Sequence, residues 1–212
     1  MGDRVRRGRA ALGAIGAGTM LLALVGCGAP PWAQGGGQTT PSSSPTVSAS
    51  TTPVPTPVPN DLSSGSTEKK VTAGAIAATV KYWSTLSMDR WTATALKPVS
   101  ISMDTTVTPN DGQQVYLQRA TMTAVPGNAT QSFAPLTPQV DQSNPPGYVV
   151  LSPYSYSQTF NVGEVPAEAT FVTLQFTYEF LLQTTPTSSD FAKQTASDTL
   201  TVAIARDATP AG

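Results

Sequence analysis

The chain has 212 residues, a net charge of −1, and charged residues at only 12% of its positions. It holds no histidine and a single cysteine, Cys27. These counts exclude an intramolecular disulfide, a Cys/His zinc site and a histidine-dependent catalytic triad in this chain. Beyond residue 26, eight basic residues stand against twelve acidic ones. A mildly acidic chain without a basic patch argues against a nucleic-acid partner.

The N-terminus has the organisation of an export signal. Four arginines lie within the first nine residues, an apolar run follows over residues 10–26, and small residues precede Cys27. This order is typical of a cleaved signal peptide. The run is short for a membrane-spanning helix, which needs about 20 apolar residues. Arg9, after the pair Arg6-Arg7, favours the general secretory route over twin-arginine export. An uncleaved anchor and an ordinary secreted protein are the alternatives.

Residues Leu24-Val25-Gly26-Cys27 resemble the lipobox of bacterial lipoprotein signal peptides. The resemblance is confined to about the first 27 residues. It implies removal of residues 1–26, a diacylglyceryl group on the Cys27 thiol, and attachment to the outer face of the bacterial cytoplasmic membrane. Two acyl chains anchor a protein stably, whereas one chain does so only marginally. No family resemblance is identified for the rest of the chain.

Residues 27–70 are predicted to be a disordered linker that follows the lipidated cysteine. Residues 28–60 contain no charged residue, and 17 of the 21 residues over 39–59 are Ser, Thr or Pro. Such a segment buries too little apolar surface to offset the entropy of ordering it. We expect a spacer that lifts a domain off the membrane. The spacer is either a bare linker or a substrate for O-glycosylation.

Residues 71–206 are predicted to form one domain, followed by a flexible tail over residues 207–212. Apolar and polar residues alternate most clearly over residues 171–182, and also over 99–107 and 199–204. This period of two indicates half-buried strands. Residues 113–125 also predict a strand, with a bulge near Gln118-Arg119 where the parity of the apolar positions changes.

Shorter strands are predicted over residues 148–151 and 154–162, with Pro/Gly/Asn turns between the runs. Residues 72–83 fit either a helix or a strand, and the alternation from Ile76 to Tyr82 favours the strand. Several short strands joined by turns predict an all-β fold, an antiparallel β-sandwich that is immunoglobulin-like in architecture.

The domain offers few groups for catalysis or metal binding. Gly-x-Ser-x-Gly, Ser-x-x-Lys and a phosphate-binding glycine loop are all absent from residues 71–206. Lys97, followed by proline, is interpreted as part of a solvated turn. Residues 110–112 and 141–144 supply oxygen ligands for calcium, or are simply turn-forming side chains. We therefore expect no enzyme activity, no cofactor and no bound metal.

Aromatic residues are the best candidates for ligand contacts. Trp91 follows Arg90 near the start of the domain, and Tyr154 and Tyr156 share a parity that would place both on one face of a strand. Tyrosine and tryptophan are enriched at binding surfaces, although in a small sandwich large aromatics also form the core. The alternative is therefore that these residues are buried.

These features together predict a membrane-anchored surface lipoprotein that presents a non-enzymatic binding module. Its partner would be a protein, a glycan or a cell-wall component. One alternative is a structural envelope or assembly component that offers a sheet edge to another protein. A second is a carboxylate-dependent hydrolase, which requires two acids that converge in a cleft.

Overall fold

The computed structural model describes residues 58–206. The export signal, Cys27, most of the predicted linker and the tail over residues 207–212 lie outside this range. Residues 58–206 contain no helix long and apolar enough to cross a membrane, and the one helix there is a single 3-10 turn at Met88–Arg90. The described strands are β1 Ser66–Ala73, β2 Ile76–Trp83, β3 Lys97–Val107, β4 Val115–Gly127, β5 Gln139–Gln142, β6 Tyr148–Val149, β7 Tyr156–Val162, β8 Phe171–Gln183 and β9 Phe191–Ala203.

The strands form two antiparallel sheets that pack face to face. One sheet has the order β1-β2-β3-β7, and the other has the order β5-β4-β8-β9 with β6 also paired to β4. The order β2-β3-β7 opposite β5-β4-β8-β9 corresponds to strands A-B-E and C′-C-F-G of the immunoglobulin fold. In the described residues β1 is added beside the A position, and no strand occupies the D position. The predicted all-β, immunoglobulin-like sandwich is confirmed.

Alternation of side chains produces the core between the sheets. In β8 every second residue is buried from Val172 to Leu182, and the intervening residues face outward. The inward face of β3 is continuous with this core through Val99, Ile101 and Met103. Because full burial of one such apolar side chain contributes about 1.5–3 kcal/mol, these two faces hold the sandwich together.

Two local predictions from the sequence are also confirmed. Residues 76–83 form strand β2 rather than a helix, with the buried positions two residues apart. Strand β4 shifts its register against β8 between Leu117 and Arg119. A bulge at this point lets Leu117 and Ala120 both face the core, although their parity in the sequence differs.

The domain begins earlier than the predicted boundary at residue 71. Strand β1 starts at Ser66, inside the segment that the sequence assigns to the linker, and Leu62 is fully buried in the core. The sequence did not indicate this strand, because Glu68, Lys69 and Lys70 are charged. Charged residues are tolerated here because β1 is an edge strand in which only Ala73 is buried. The upstream part of the predicted linker, to residue 57, lies outside the described residues.

A chain of polar side chains links the two sheets through the core. The hydroxyl of Tyr82 on β2 lies 3.1 Å from the hydroxyl of Tyr178 on β8 and donates to Oδ2 of Asp198 on β9 at 2.7 Å. Burial raises the pKa of both tyrosines above their ordinary value. At the edge, Nζ of Lys69 on β1 lies 3.8 Å from Oδ1 of Asp198. Polar contacts therefore join β1 and β2 of one sheet to β8 and β9 of the other.

Lys97 is buried, so its interpretation as part of a solvated turn is wrong. Its side chain has no exposed surface. Nζ donates to the carbonyls of Thr92 at 3.1 Å, Ala93 at 3.5 Å and Ala95 at 2.6 Å. Desolvation lowers the pKa of Lys97, and the charge of Glu164 partly opposes that effect. Because all three ammonium protons have carbonyl partners, the lysine fixes the loop that precedes β3.

Candidate functional site

Trp91 belongs to the core and is not available as a ligand contact. Its exposed fraction is 0%. The indole Nε1 donates to Oγ of Ser84 at 3.2 Å, and the Trp91 carbonyl accepts a hydrogen bond from the backbone of Ala205 at 2.9 Å. The prediction of Trp91 as a binding residue is therefore wrong. A buried tryptophan that needs one polar partner has found it inside the domain.

Tyr154 and Tyr156 do not share a face. Strand β7 begins at Tyr156, while Tyr154 lies in the preceding turn, where its N–H donates to the carbonyl of Leu151 at 3.0 Å. The parity rule holds only inside a strand, so it does not apply to this pair. Tyr154 is 61% exposed, whereas Tyr156 is 5% exposed. Of the two predicted contacts, only Tyr154 presents its ring to solvent.

Tyr156 nevertheless takes part in a surface site through its hydroxyl group. That hydroxyl donates to Oδ2 of Asp141 on β5 at 2.6 Å. Burial raises the pKa of Tyr156, and the hydrogen bond to Asp141 and the charge of Asp141 raise it further. The phenol is thus held neutral, as a donor to the carboxylate.

Tyr148 completes this arrangement from β6. Its ring centroid lies 5.3 Å from that of Tyr156, with 40° between the ring planes, and its hydroxyl lies 3.5 Å from Oδ1 of Asp141. Tyr148 is 39% exposed. Gly147, which has a φ of +114°, permits this placement, because a Cβ there would lie 2.3 Å from the carbonyl oxygen of Leu117. A glycine at this turn therefore brings β6 against β4 and positions the tyrosine.

These three side chains line an open cavity of about 300 Å³ on one side of the sandwich. We call the side of the sandwich where the edge strands β5 and β7 meet the seam. The remaining lining is polar apart from one valine and consists of Val149, Ser155, Ser157 and Gln158. We call this opening the seam cavity.

The edge strands are bridged at the seam by one side-chain amide. Nε2 of Gln139 donates to the carbonyl of Asn161, and Oε1 of Gln139 accepts from the Asn161 N–H at 3.0 Å. A primary amide has the same donor and acceptor pair as a peptide group, so Gln139 satisfies the outer edge of β7 at this point. Beyond the bridge lies a second, more apolar cavity of about 370 Å³, whose lining includes Leu96, Leu136 and Glu164.

Exposed large apolar side chains concentrate around the seam. In residues 58–206 they are Leu96 at 65%, Val140 at 55%, Tyr148 and Tyr154. Val140 lies on β5, Leu96 lines the second cavity and Tyr148 lines the seam cavity. Isolated exposed apolar residues need no explanation, but a group of them beside two cavities makes this side of the sandwich the candidate binding surface.

Carboxylates are dispersed among the cavities. The seam cavity holds Asp141, the second cavity holds Glu164, and a third, of about 410 Å³ near Val58, holds Glu168. The convergent pair that a carboxylate-dependent hydrolase requires is not found in any of these three openings. Across residues 58–206, Asp, Glu, His and Cys side chains form no group of three positioned for a metal ion.

The two segments considered for calcium have other roles in the fold. Oδ1 of Asn110 accepts from the N–H of Gly112 at 3.1 Å and closes a turn. Asp141 lies in strand β5, which the sequence did not predict, and its carboxylate accepts from tyrosine hydroxyls. The turn-forming alternative therefore describes residues 110–112, and neither alternative describes Asp141.

Asp141 and Tyr148 are the site residues that sequence reasoning missed. They lie in short strands that both pair with β4, Asp141 opposite Ala120 and Tyr148 opposite Leu117. Strand β5, with four residues, is too short for alternation to reveal it, whereas β6 lies inside the strand predicted over residues 148–151. The available signal was a run of aromatic residues after residue 147, which did not indicate the partner carboxylate.

The fold and the seam define an immunoglobulin-like β-sandwich with an aromatic and acidic cavity between two edge strands. No family model, no curated protein and no solved structure matches this chain.

Proposed function

We propose that this protein is a lipid-anchored surface lipoprotein whose sandwich is a non-enzymatic binding module, and that the seam is its binding surface. The observation that supports the module most directly is the seam cavity, where the carboxylate of Asp141 and the partly exposed ring of Tyr148 lie side by side. Tyrosine presents both an apolar face and a polar group, and it is enriched where proteins bind partners. The partner would be a protein, a glycan or another cell-wall component.

The lipobox resemblance of Leu24-Val25-Gly26-Cys27 supports the anchoring part of the proposal. Cys27→Ala removes the thiol that would receive the diacylglyceryl group. The variant is expected to lose lipid labelling and either to leave the membrane fraction or to keep its uncleaved signal peptide, because no thiol remains to carry the acyl chains that anchor the protein. Membrane fractionation of cells fed a labelled fatty acid measures both effects. Undiminished labelling and sedimentation of the variant would overturn the anchoring proposal.

Photocrosslinking on intact cells tests the binding module. A photoreactive amino acid at position 154 or 140 places the probe at exposed sites beside the seam, and the same probe at Gln175 serves as the control, since Gln175 is exposed on the outer face of β8. We expect discrete adducts from the two seam positions and none from the control. Protease or glycan hydrolase treatment then shows which class of molecule was captured. Equal adducts from all three positions would contradict the proposal.

The structural alternative, in which a sheet edge pairs with another protein, has less support. Lys69 donates to the carbonyl of Thr199 at 2.5 Å, and Asp61 binds both the N–H and the carbonyl of Thr201, so part of the outer edge of β9 is satisfied. Gln139 does the same for Asn161 on β7. Native sheets cover their edges in this way to avoid pairing with other chains.

A further inference from the structure

We propose that the seam cavity binds a primary alkylammonium group, of the kind that ends a lysine side chain, between the carboxylate of Asp141 and the ring of Tyr148. This inference rests on the proposed binding function and specifies the ligand chemistry of the same site.

The first reason is the charge of Asp141. In residues 58–206 the ion pairs join Lys69, Arg119 and Lys193 to other carboxylates, and none of them includes Asp141. Its polar partners are two tyrosine hydroxyls, which donate hydrogen bonds but carry no charge. A carboxylate has about four acceptor positions, so about two stay open for a ligand. A cationic ligand gains both a hydrogen bond and charge neutralisation, whereas a neutral ligand gains the hydrogen bond alone.

The second reason is the aromatic wall beside that charge. Tyr148 is partly exposed, and its orientation is fixed by contact with Tyr156 at 5.3 Å. The face of a tyrosine ring attracts cations, most strongly where the cation leaves water. The same face covers the methylene groups of an alkyl chain. A cavity with such walls therefore fits a ligand that carries a charged group at the end of an alkyl chain.

The third reason concerns the number of donors that the cavity can accept. Besides Asp141, the lining offers the hydroxyl oxygens of Ser155 and Ser157, the second of which donates its own proton to the Ile101 carbonyl at 3.1 Å. It also offers the remaining acceptor position of the Gln158 amide oxygen, which accepts from the Thr159 N–H at 2.8 Å. A primary ammonium has three N–H donors and uses such acceptors, whereas a quaternary ammonium has none. An anion would be repelled by Asp141. The cavity chemistry therefore favours a primary amine over a quaternary amine, and a cation over an anion.

Ligand-observed saturation-transfer NMR on the detergent-solubilised full chain tests the inference with three matched probes. These are the Nα-acetyl amides of lysine, of norleucine and of Nε-trimethyl-lysine. They share a carbon stem but end in a primary ammonium, a methyl group and a quaternary ammonium. We expect millimolar binding of the lysine probe, and at least tenfold weaker binding of the other two. Equal binding of the norleucine probe, or equal or tighter binding of the trimethyl-lysine probe, overturns the inference.

Substitutions assign the binding to this cavity. Asp141→Asn keeps the size of the side chain but removes its charge, and it should weaken lysine-probe binding at least tenfold. Asp104→Asn is the matched control, because Asp104 is an exposed carboxylate on β3, outside the seam cavity. Tyr148→Leu, which keeps an apolar side chain without a π face, should weaken binding severalfold. Circular dichroism and thermal melting verify that each variant is folded. Unchanged binding in folded Asp141→Asn overturns the inference.

The photocrosslinking assay separates the two proposals. If the probe at position 154 still forms adducts when Asp141 is replaced by Asn, the binding module stands and the ammonium assignment is wrong. If the probes at positions 154 and 140 give no adducts beyond those of the Gln175 control while Asp141 is intact, the proposed function itself fails.

Discussion

Tyr82→Phe tests whether the polar chain through the core joins the two sheets. The substitution keeps the buried ring, which packs 5.2 Å from that of Phe176, and removes only the hydroxyl group. That hydroxyl is fully enclosed and lies within hydrogen-bond distance of both Tyr178 and Asp198. The loss therefore isolates the polar contacts between β2 and the opposite sheet from the hydrophobic contribution of the ring.

The magnitude follows from the two hydrogen bonds. A hydrogen bond to a charged group contributes about 1.5–3 kcal/mol, and a neutral one about 1 kcal/mol. The hydroxyl of Tyr178 loses a partner in a buried environment, and the carboxylate of Asp198, whose side chain is 12% exposed, loses one in a partly buried environment. We therefore expect Tyr82→Phe to lower the free energy of unfolding by about 3 kcal/mol. Stabilities of this class of domain are only about 5–15 kcal/mol, so the change is large.

Urea denaturation followed by tryptophan fluorescence measures this change, because Trp91 is fully buried and becomes exposed on unfolding. The midpoint should fall while the slope against urea stays constant. Tyr116→Phe is the control, since the Tyr116 hydroxyl has no hydrogen-bond partner in residues 58–206 and its ring packs edge-on against Phe191. That control should change stability by less than about 0.5 kcal/mol. A loss in Tyr82→Phe no larger than in the control would refute the role of the network.

Three further outcomes are expected. Raising the pH above about 10 should lower the free energy of unfolding, because the buried tyrosines have raised pKa values in the folded state and ionise first in the unfolded state. The free energy of unfolding should fall by up to about 1.4 kcal/mol per pH unit for each buried tyrosine, and less steeply in Tyr82→Phe. A denaturation series with no such pH dependence would contradict this expectation. Lys97→Met should lower the free energy of unfolding by about 1–3 kcal/mol in urea denaturation, because three buried or partly buried carbonyls lose their donor while the alkyl volume is kept. Equal stability of the variant would contradict the role of Lys97 in fixing the loop before β3. Gly147→Ala should lower the free energy of unfolding by about 1–3 kcal/mol and weaken lysine-probe binding, because a Cβ there collides with the backbone of Leu117 and displaces Tyr148. Gly163→Ala is the control, because a Cβ there meets nothing within 4 Å. Equal effects of the two substitutions would contradict this account.

The long strands were predictable because alternation is a local property of the sequence. Over residues 171–182 each apolar residue faces the opposite sheet, and the structure places strand β8 there. The bulge in β4 was predictable for the same reason, since one change of parity at Gln118-Arg119 has a single simple explanation. Edge strands were harder. Strand β1 buries little of its surface, so its polar sequence looked like the linker before it.

The candidate site was less predictable because its members meet only through tertiary contacts. Asp141 and Tyr156 are 15 positions apart, and their contact depends on β5 and β7 lying in different sheets at the same side of the sandwich. The parity of Tyr154 and Tyr156 indicated a shared face, but the strand begins between them. Lys97 was misread for a related reason, because its carbonyl partners belong to a loop whose path the sequence does not reveal.

The position of the seam cavity along the strands has a mechanical consequence. The described chain begins beside the end of β9, where Asp61 binds Thr201, and β1 starts at that same end of the sandwich. Tyr148 pairs with Leu117, near the opposite end of the 13-residue strand β4. A pull between residue 58 and a ligand in the cavity would therefore act along the strands. Such a force shears β1 against β2, so the hydrogen bonds of that ladder share the load instead of opening one at a time.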